Sequence, residues 1–407
     1  MKIAMVVNNE PTRDSRVLRE ASALLAAGHE VTVVGVSNSS VPRDEQPGGP
    51  RILRAAPLCG SESGTLRTLW RTARWYERMR PLVRAALDDA RPDVLHAHDL
   101  DTVGPASRAA KSLGIPCVYD DHEASYVDKL PNYVPRTIRG PKRAVLASLN
   151  RWLAARGTSL ERRVRSRGLA GIITVSDSLA DELPRRFGGE RPVVVRNIPA
   201  WRDTPRTNAL RERIGAPPQV RILLYHGTVT EGSGVEAVIR AMALLGDGYA
   251  FVVLGKVWQQ QRYEAIVREA GVGERVRILP LVPYDEMFTL IASADAAIIP
   301  TEPNSAGNRF GVPTKLFESM MAGLPLVAAG LPDVDALVRS TGAGVLYPPA
   351  EHGDPHVIAD AVRRLFATPE TWQTCRAAGL RAARDEFNWE IESRRLTGLY
   401  ERIGGSR

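Results

Sequence analysis

Short apolar runs alternate with amphipathic stretches along most of the chain, and this rhythm constrains the fold more than any other feature. Residues 3–7, 31–36, 94–98, 116–119 and 171–175 are such runs. Apolar runs of this length suit strands buried on both faces of a parallel sheet. After the first run, Asp14 or Ser15 can cap a helix, because a short side-chain oxygen accepts from the free N–H groups at its start. Val17, Leu18, Ala21, Leu24 and Leu25 then recur at helical spacing, and Gly28 stops the helix by tolerating left-handed backbone. Strand, helix and strand in this order, repeated, predict an α/β fold with a doubly wound parallel sheet.

The rhythm breaks over residues 199–219. Pro199, Pro205, Pro217 and Pro218 surround a short charged stretch there, which reads as an interdomain linker. It then restarts, with strands expected at 222–225, 250–254, 276–279, 296–299 and 326–329 and helices at 235–245, 284–292 and 314–322. The chain therefore reads as two Rossmann-like domains in tandem, residues 1–198 and 220–384. Ligands of open α/β sheets bind at the C-terminal ends of the strands. Two such sheets facing each other would place the site in a cleft built from those loops.

Composition narrows the classes. With 44% hydrophobic and 25% charged residues the chain is ordinary globular protein. No apolar run approaches the roughly 18 residues of a membrane span. The start turns polar too soon for a signal peptide. Cys59, Cys117 and Cys375 are odd in number and far apart, which argues against a disulfide framework or a paired-cysteine metal site and fits the cytoplasm.

The 54 Lys and Arg against 46 Asp and Glu give a net charge of +8, which suggests nucleic acid, a membrane surface or an anionic substrate. Residues 134–168 carry ten basic side chains against Glu161 alone, so the rest of the chain is close to neutral. Leu146, Leu149, Trp152 and Leu153 add an apolar stripe at helical spacing. The segment is either a solvated helix face or a contact with an anionic lipid-linked acceptor or with anionic lipid, peripheral at the inner membrane face. Nucleic acid is disfavoured: no helix-turn-helix, zinc or aromatic-rich RNA motif is present, and aromatics are 6%.

The most informative stretch is 299–325. A strand runs into a polar loop with Asn308, Arg309 and Gly311, then into a helix opening at Val312-Pro313-Thr314-Lys315. Free N–H groups at a helix start bind anions, phosphates in particular. Lys315 adds a mobile positive charge, and Glu318, one turn on, can accept from vicinal hydroxyls such as those of a ribose. The plainer alternative is a capped helix with a solvated Lys and Glu.

This loop and helix resemble the donor-binding element of retaining GT-B glycosyltransferases of family 4, the glycosyl transferases group 1. The resemblance rests on Gly311-Val312-Pro313-Thr314-Lys315-Leu316-Phe317-Glu318 followed by Ala322-Gly323-Leu324-Pro325. Arg13–Ala21, Asp93–Asp99, Tyr119–Glu123, Val175–Leu179 and Arg196-Asn197 are similar to other family elements, in family order. The ending Phe387-Asn388-Trp389 resembles the family's last helix, which would carry residues 385–407 back to the first domain. The resemblance implies a metal-independent enzyme that moves a sugar from a nucleoside-diphosphate sugar to a hydroxyl acceptor. It implies front-face transfer with retention and no required cofactor. In that account Glu318 binds the donor ribose, and Gly227, Thr228 and the N–H groups around Thr314 lie by the diphosphate. Asn308 touches the sugar and His98 positions the reacting groups. Asp14, Arg16, His122 and Glu123 lie on the acceptor side.

Two departures stand out. The family usually has a second Glu eight positions before Glu318; Phe310 stands there, and alignment on the loop gives Asn308. It also usually has Arg and Lys after the first strand of the second domain, where Thr228 and Ser233 stand here. A departing diphosphate gathers charge, so cations or aligned N–H groups must stabilise it. Lys256, Arg196, Arg309 and Lys315 are the candidate substitutes. His96, His98, Asp99, Asp101, Asp120, Asp121, His122 and Glu123 are ligand types for a divalent ion, but they sit at strand ends where alternate residues diverge, so no metal is expected. A sugar-nucleotide epimerase or hydrolase on the same fold, and a non-enzymatic basic surface-binding protein, are the alternative functions.

Overall fold

A computed structural model describes residues 1–36, 48–55, 79–122, 140–350 and 352–405. The chain divides into two compact units. The first comprises Met1–Arg196, Ser305–Gly307 and Glu392–Arg407; the second comprises Asn197–Asn304 and Asn308–Ile391.

The first unit holds a seven-stranded sheet. Its strands are β1 (Lys2–Val6), β2 (Glu30–Val36), β3 (Arg51–Ala55), β4 (Val94–His98), β5 (Cys117–Asp121), β6 (Gly171–Thr174) and β7 (Val193–Val194). They lie in the order β3-β2-β1-β4-β5-β6-β7, all parallel. The order reverses between β1 and β4, the switch point at which such sheets open a crevice for ligands. The helix Ser15–Ala26 starts on Asp14, whose carboxylate accepts from Arg16 N and Val17 N at 3.1 Å each. That helix buries Val17, Ala21 and Leu24. The last helix, Trp389–Gly405, belongs to this unit from Glu392 onward and buries Leu396, Leu399, Tyr400 and Ile403.

The second unit repeats the plan with β8 (Arg221–His226), β9 (Tyr249–Leu254), β10 (Val276–Leu279), β11 (Ala296–Ile299), β12 (Leu326–Ala329) and β13 (Gly344–Tyr347). The order is β10-β9-β8-β11-β12-β13, again parallel. Side chains alternate across the sheet. Leu223, Tyr225, Phe251 and Val253 enter one apolar core, while Ile222, Leu224, Val252 and Leu254 enter the other. Both faces are thus covered, which is why these strands read as continuous apolar runs.

Residues 199–219 are more than a linker. They contain the helix Ala209–Ile214, whose Leu210 is buried in the second unit's core. Arg206 and Arg211 bind the two oxygens of buried Asp295 at 2.6 and 3.0 Å, and Ile222 N also donates to it at 2.8 Å. No described helix is long and apolar enough to cross a membrane.

Candidate active site

In the second unit, the loops after β8 and β9 are pinned together. A Cβ on Gly255 would lie 2.2 Å from the carbonyl oxygen of Gly227, and Gly255 has φ +146°, so only glycine permits this approach. Beyond the strands, Gly227 N donates to Leu254 O at 2.9 Å and Val229 N to Lys256 O at 2.8 Å. The amide of Gly227 is therefore committed to the sheet and is not presented to a ligand. What requires glycine there is the backbone at φ +100°; a Cβ would make only ordinary contact, 3.6 and 3.7 Å from Cε and Nζ of Lys315.

Lys315 stands in the first turn of the helix Thr314–Met321. Pro313 precedes that helix in extended backbone, with no side chain capping it. The Thr314 hydroxyl ties the helix start to Asn197 O at 3.2 Å. The Lys315 ammonium donates to the Tyr225 hydroxyl and lies 3.7 Å from the centroid of its ring. Burial lowers the Lys315 pKa to about 7, with Glu318 only partly offsetting the loss of hydration. The site therefore holds a lysine whose charge is under-compensated.

Glu318 follows one turn later and is buried. Tyr284 Oη lies 3.5 Å from its Oε1, and His226 Nδ1 lies 3.6 Å from its Oε2. Burial and the Lys315 charge push His226 down to about 3, so the ring is neutral and this last contact is no ion pair. His226 Nε2 meets Ser319 Oγ at 3.2 Å.

The other cations expected near the diphosphate are placed differently. Lys256 is exposed, 4.5 Å above the ring of exposed Trp258. Arg309 is exposed and lies over Phe310. Arg196, in the first unit, is engaged by Asp177 and by Glu392 at 3.0 Å, so it is already neutralised. Asn308, in the short helix Ala306–Phe310, donates to Asn304 Oδ1 at 2.7 Å. Thr228 is exposed, while Gly311, Val312 and Pro313 are half-buried before the helix.

In the first unit the sequence candidates converge on Asp120 at the end of β5. Arg16 grips it with two nitrogens, Nε to Oδ2 at 2.9 Å and Nη2 to Oδ1 at 2.8 Å, and reaches Glu20 Oε1 at 2.9 Å and Val195 O at 2.8 Å. Arg16 is thus buried and saturated by the protein, not turned toward an acceptor or a phosphate as expected from sequence. His98 Nδ1 and His122 Nδ1 also meet Asp120 Oδ2, at 3.1 and 3.2 Å. A carboxylate only accepts, so His98 carries its proton on Nδ1 and leaves the Nε2 lone pair open. That buried Nε2 has no hydrogen-bond partner among the described residues.

Burial acts against the charge on His122, but Asp99 and Asp120 overcome it and raise its pKa to about 10. Burial likewise opposes the Asp120 charge, yet Arg16 and His122 hold its pKa well below the usual carboxylate range. Asp14 is occupied as the helix cap and by Asn9. Glu123 lies outside the described residues.

Glu20, His96, His98 and Asp120 bring one ligand-type atom each to within 4.8 Å of the others. The Arg16 guanidinium lies against both of these carboxylates, 2.9 Å from Glu20 and 2.8 Å from Asp120.

Sequence reasoning missed Tyr225, Tyr284, Glu20 and Tyr400. Tyr225 ends a buried strand and looks like core. Tyr284 is a lone aromatic opening a helix, and only the packing of the sheet brings it to Glu318. Glu20 lies one turn after Arg16, a spacing that favours an ion pair, but nothing local says that both are buried.

The sequence model for "Glycosyl transferase 4-like domain" matches residues 14–199, and that for "Glycosyl transferases group 1" matches residues 220–368. The glycogen synthase of Mycobacterium tuberculosis is 28% identical, over 93% of this chain and 88% of that protein. Among solved structures, sucrose-phosphate synthase from Thermosynechococcus elongatus superposes with TM-score 0.76 at 17% identity, covering 100% of this chain and 99% of that one. Anabaena HepE in complex with UDP-glucose gives TM-score 0.70 at 14% identity, covering 98% and 99%. With both halves matched, this chain belongs to the group 1 glycosyltransferases and is a GT-B glycosyltransferase.

Proposed function

We propose that the chain transfers a sugar, with retention, from a nucleoside-diphosphate sugar to a hydroxyl acceptor, without a metal. The observation that carries this reading is the pairing of Lys315 and Glu318 on one helix start. Lys315 is a half-buried cation short of a counter-charge, and Glu318 stands one turn away beside Tyr284. A diphosphate would supply the missing charge to Lys315, and a helix start is suited to receive it. A ribose diol would donate to Glu318.

Lys315 is the residue we assign to the task usually shared by the family's Arg and Lys. Asn308 is assigned to the donor sugar, and the open Nε2 of His98 accepts from a substrate hydroxyl. A neighbour of the same fold was solved with UDP-glucose, which makes UDP the first nucleotide to try.

A thermal-shift screen with UDP, ADP and GDP tests the donor site. A ligand at 100 times its Kd stabilises by about 2.7 kcal/mol, so the right base raises Tm and the wrong ones do not. Glu318→Ala should abolish that shift and cut transfer about 100-fold while the fold persists, as expected for losing a buried charged hydrogen bond of about 2–3 kcal/mol. Donor turnover to an epimer without any acceptor would favour the epimerase reading. Salt-dependent oligonucleotide binding with no nucleotide shift would favour the non-enzymatic one.

For the acceptor side we infer contact with an anionic lipid surface. The helix Pro141–Arg165 leaves Val145 68% and Trp152 44% exposed, beside Lys142, Arg151 and Arg156. Its described acid, Glu161, is buried against Arg165 at 2.6 Å, so no acid interrupts the exposed face. Arg136 and Arg139 lie outside the described residues. An amphipathic basic face with an aromatic anchor suits anionic headgroups. Co-sedimentation with phosphatidylglycerol vesicles at low salt, lost in Trp152→Ser/Arg156→Glu, is the expected result; no sedimentation would end the idea.

A further inference from the structure

His98 is held at one atom by Asp120, and a single hydrogen bond leaves a ring free to swing about it. What removes that freedom is His96. The two residues alternate on β4 and so share a sheet face. Their rings stack with centroids 4.4 Å apart and planes 14° from parallel. His122 closes the arrangement edge-on at 5.8 Å.

His96 in turn has one anchor. Its Nδ1 meets the hydroxyl of Tyr400 at 2.8 Å, while its Nε2 has no hydrogen-bond partner among the described residues and stands 3.7 Å from Glu20 Oε2. Tyr400 is fully buried on the helix Trp389–Gly405. That helix is fixed at its start by Glu392, which receives Arg196 N at 2.9 Å and Arg196 Nη1 at 3.0 Å.

We propose that Tyr400 is a positioning residue that fixes the ring of His98 by way of His96. The Tyr400 hydroxyl donates to His96 Nδ1 and leaves the His96 Nε2–H facing the Glu20 carboxyl. His96 then stays neutral and flat against His98, and the His98 Nε2 lone pair keeps one direction. Burial and the neighbouring His98 hold the pKa of His96 well below the usual histidine range, in keeping with a neutral backing ring. The last helix of the chain thereby takes part in the chemistry of the first unit. The inference rests on the reading of His98 given above.

The test is Tyr400→Phe in the full chain, which removes one oxygen and keeps the packing. The chain has seven histidines, few enough for imidazole 15N spectra. Wild type should show one sharp set of His98 ring signals, protonated on Nδ1; the variant should keep that tautomer but show the signals shifted and broadened as the ring swings about its bond to Asp120. Unchanged His98 signals in the variant overturn the proposal.

Kinetically, the variant should lose about tenfold in kcat, as for one hydrogen bond of ~1.4 kcal/mol, with donor KM little moved. Nucleotide binding, which belongs to the second unit, should persist and reports that the variant is folded. In a His98→Ala background, Tyr400→Phe should cost nothing more, because the two act as one device. An additive loss, or no loss in kcat, overturns the proposal. Wild-type turnover in His98→Ala alone would instead remove the reading of His98 on which it stands.

Discussion

The ammonium of Lys315 lies 3.7 Å from the ring centroid of Tyr225 and donates to its hydroxyl. A lysine that leans on an aromatic ring and a neutral phenol has given up water for weaker partners. Its pKa of about 7, against the ordinary 10.5, records that exchange.

Between about pH 7 and 10.5 the unfolded chain holds a proton on Lys315 that the folded chain has released. Folding stability therefore rises with pH through that window, and the cost is complete below it. Lys315→Met should remove the cost. The ligand-free variant should melt above wild type at pH 6, and the gap should close toward pH 10. The same variant should bind a nucleoside diphosphate roughly 30- to 150-fold more weakly, the effect of losing about 2–3 kcal/mol of paired charge. Thermal scans across pH and calorimetric titration read the two effects separately. A variant that melts at or below wild type at pH 6 would show that the ammonium carries no penalty.

Nucleotide binding should also take up protons. Diphosphate beside Lys315 restores its charge and raises its pKa, so near pH 7.5 the complex holds more protons than its parts. Calorimetry in two buffers of different ionisation enthalpy measures this directly. Equal observed enthalpies in both buffers would mean that Lys315 does not recharge.

The glycine pair behind Lys315 makes a stability prediction independent of function. Gly255→Ala places a methyl 2.2 Å from the Gly227 carbonyl, in backbone at φ +146°. The strand ends must part, which should cost several kcal/mol, of the order seen for strained backbone with overpacking. Urea unfolding of the variant should show a clear fall in midpoint. Gly246→Ala, at another positive-φ glycine with nothing near its Cβ position, should cost only the backbone strain.

Central strands such as β1 and β11 were legible because burial on both faces keeps them continuously apolar, and β4 was legible from Val94, Leu95 and Ala97 although His96 and His98 interrupt it. The edge strands β3, β7 and β13 were not, since β3 carries Arg51 and Arg54, β7 is two residues long and β13 opens on glycine. In the candidate site, Lys315 and Glu318 are one turn apart on one helix, so a single motif revealed both. Tyr225 reaches Lys315 from a position 90 residues away, and Tyr284 reaches Glu318 from 34 away. Neither pairing has a local signature. The same holds for Arg16: its helix start is plain in the sequence, but its partner depends on strand order, which sets β5 beside β4 in the interior.

Arg16 and Asp120, 104 residues apart, form the buried pair on which the first unit's candidate residues converge. Removing one partner of such a pair leaves a buried charge uncompensated, which typically costs about 3–5 kcal/mol. Arg16→Met should destabilise by that order at pH 7. Arg16→Lys should recover only part of it, because an ammonium cannot match the two-pronged contact with both carboxylate oxygens. The pH dependence identifies the cause. In wild type the Asp120 pKa lies far below its unfolded value of about 3.8, so its stabilisation is present above pH 4 and is lost as pH falls through the folded value. Without Arg16, burial should raise the Asp120 pKa, so in the variant the carboxyl takes up a proton toward pH 4 and sheds part of its penalty. Urea unfolding at pH 7 and pH 4 should therefore show Arg16→Met weaker than wild type at both, with the difference smaller at the lower pH. Arg16→Met within ~0.5 kcal/mol of wild type at pH 7, the range of an ordinary surface change, would mean that the guanidinium is not what holds Asp120, and with it His98 and His122, in place.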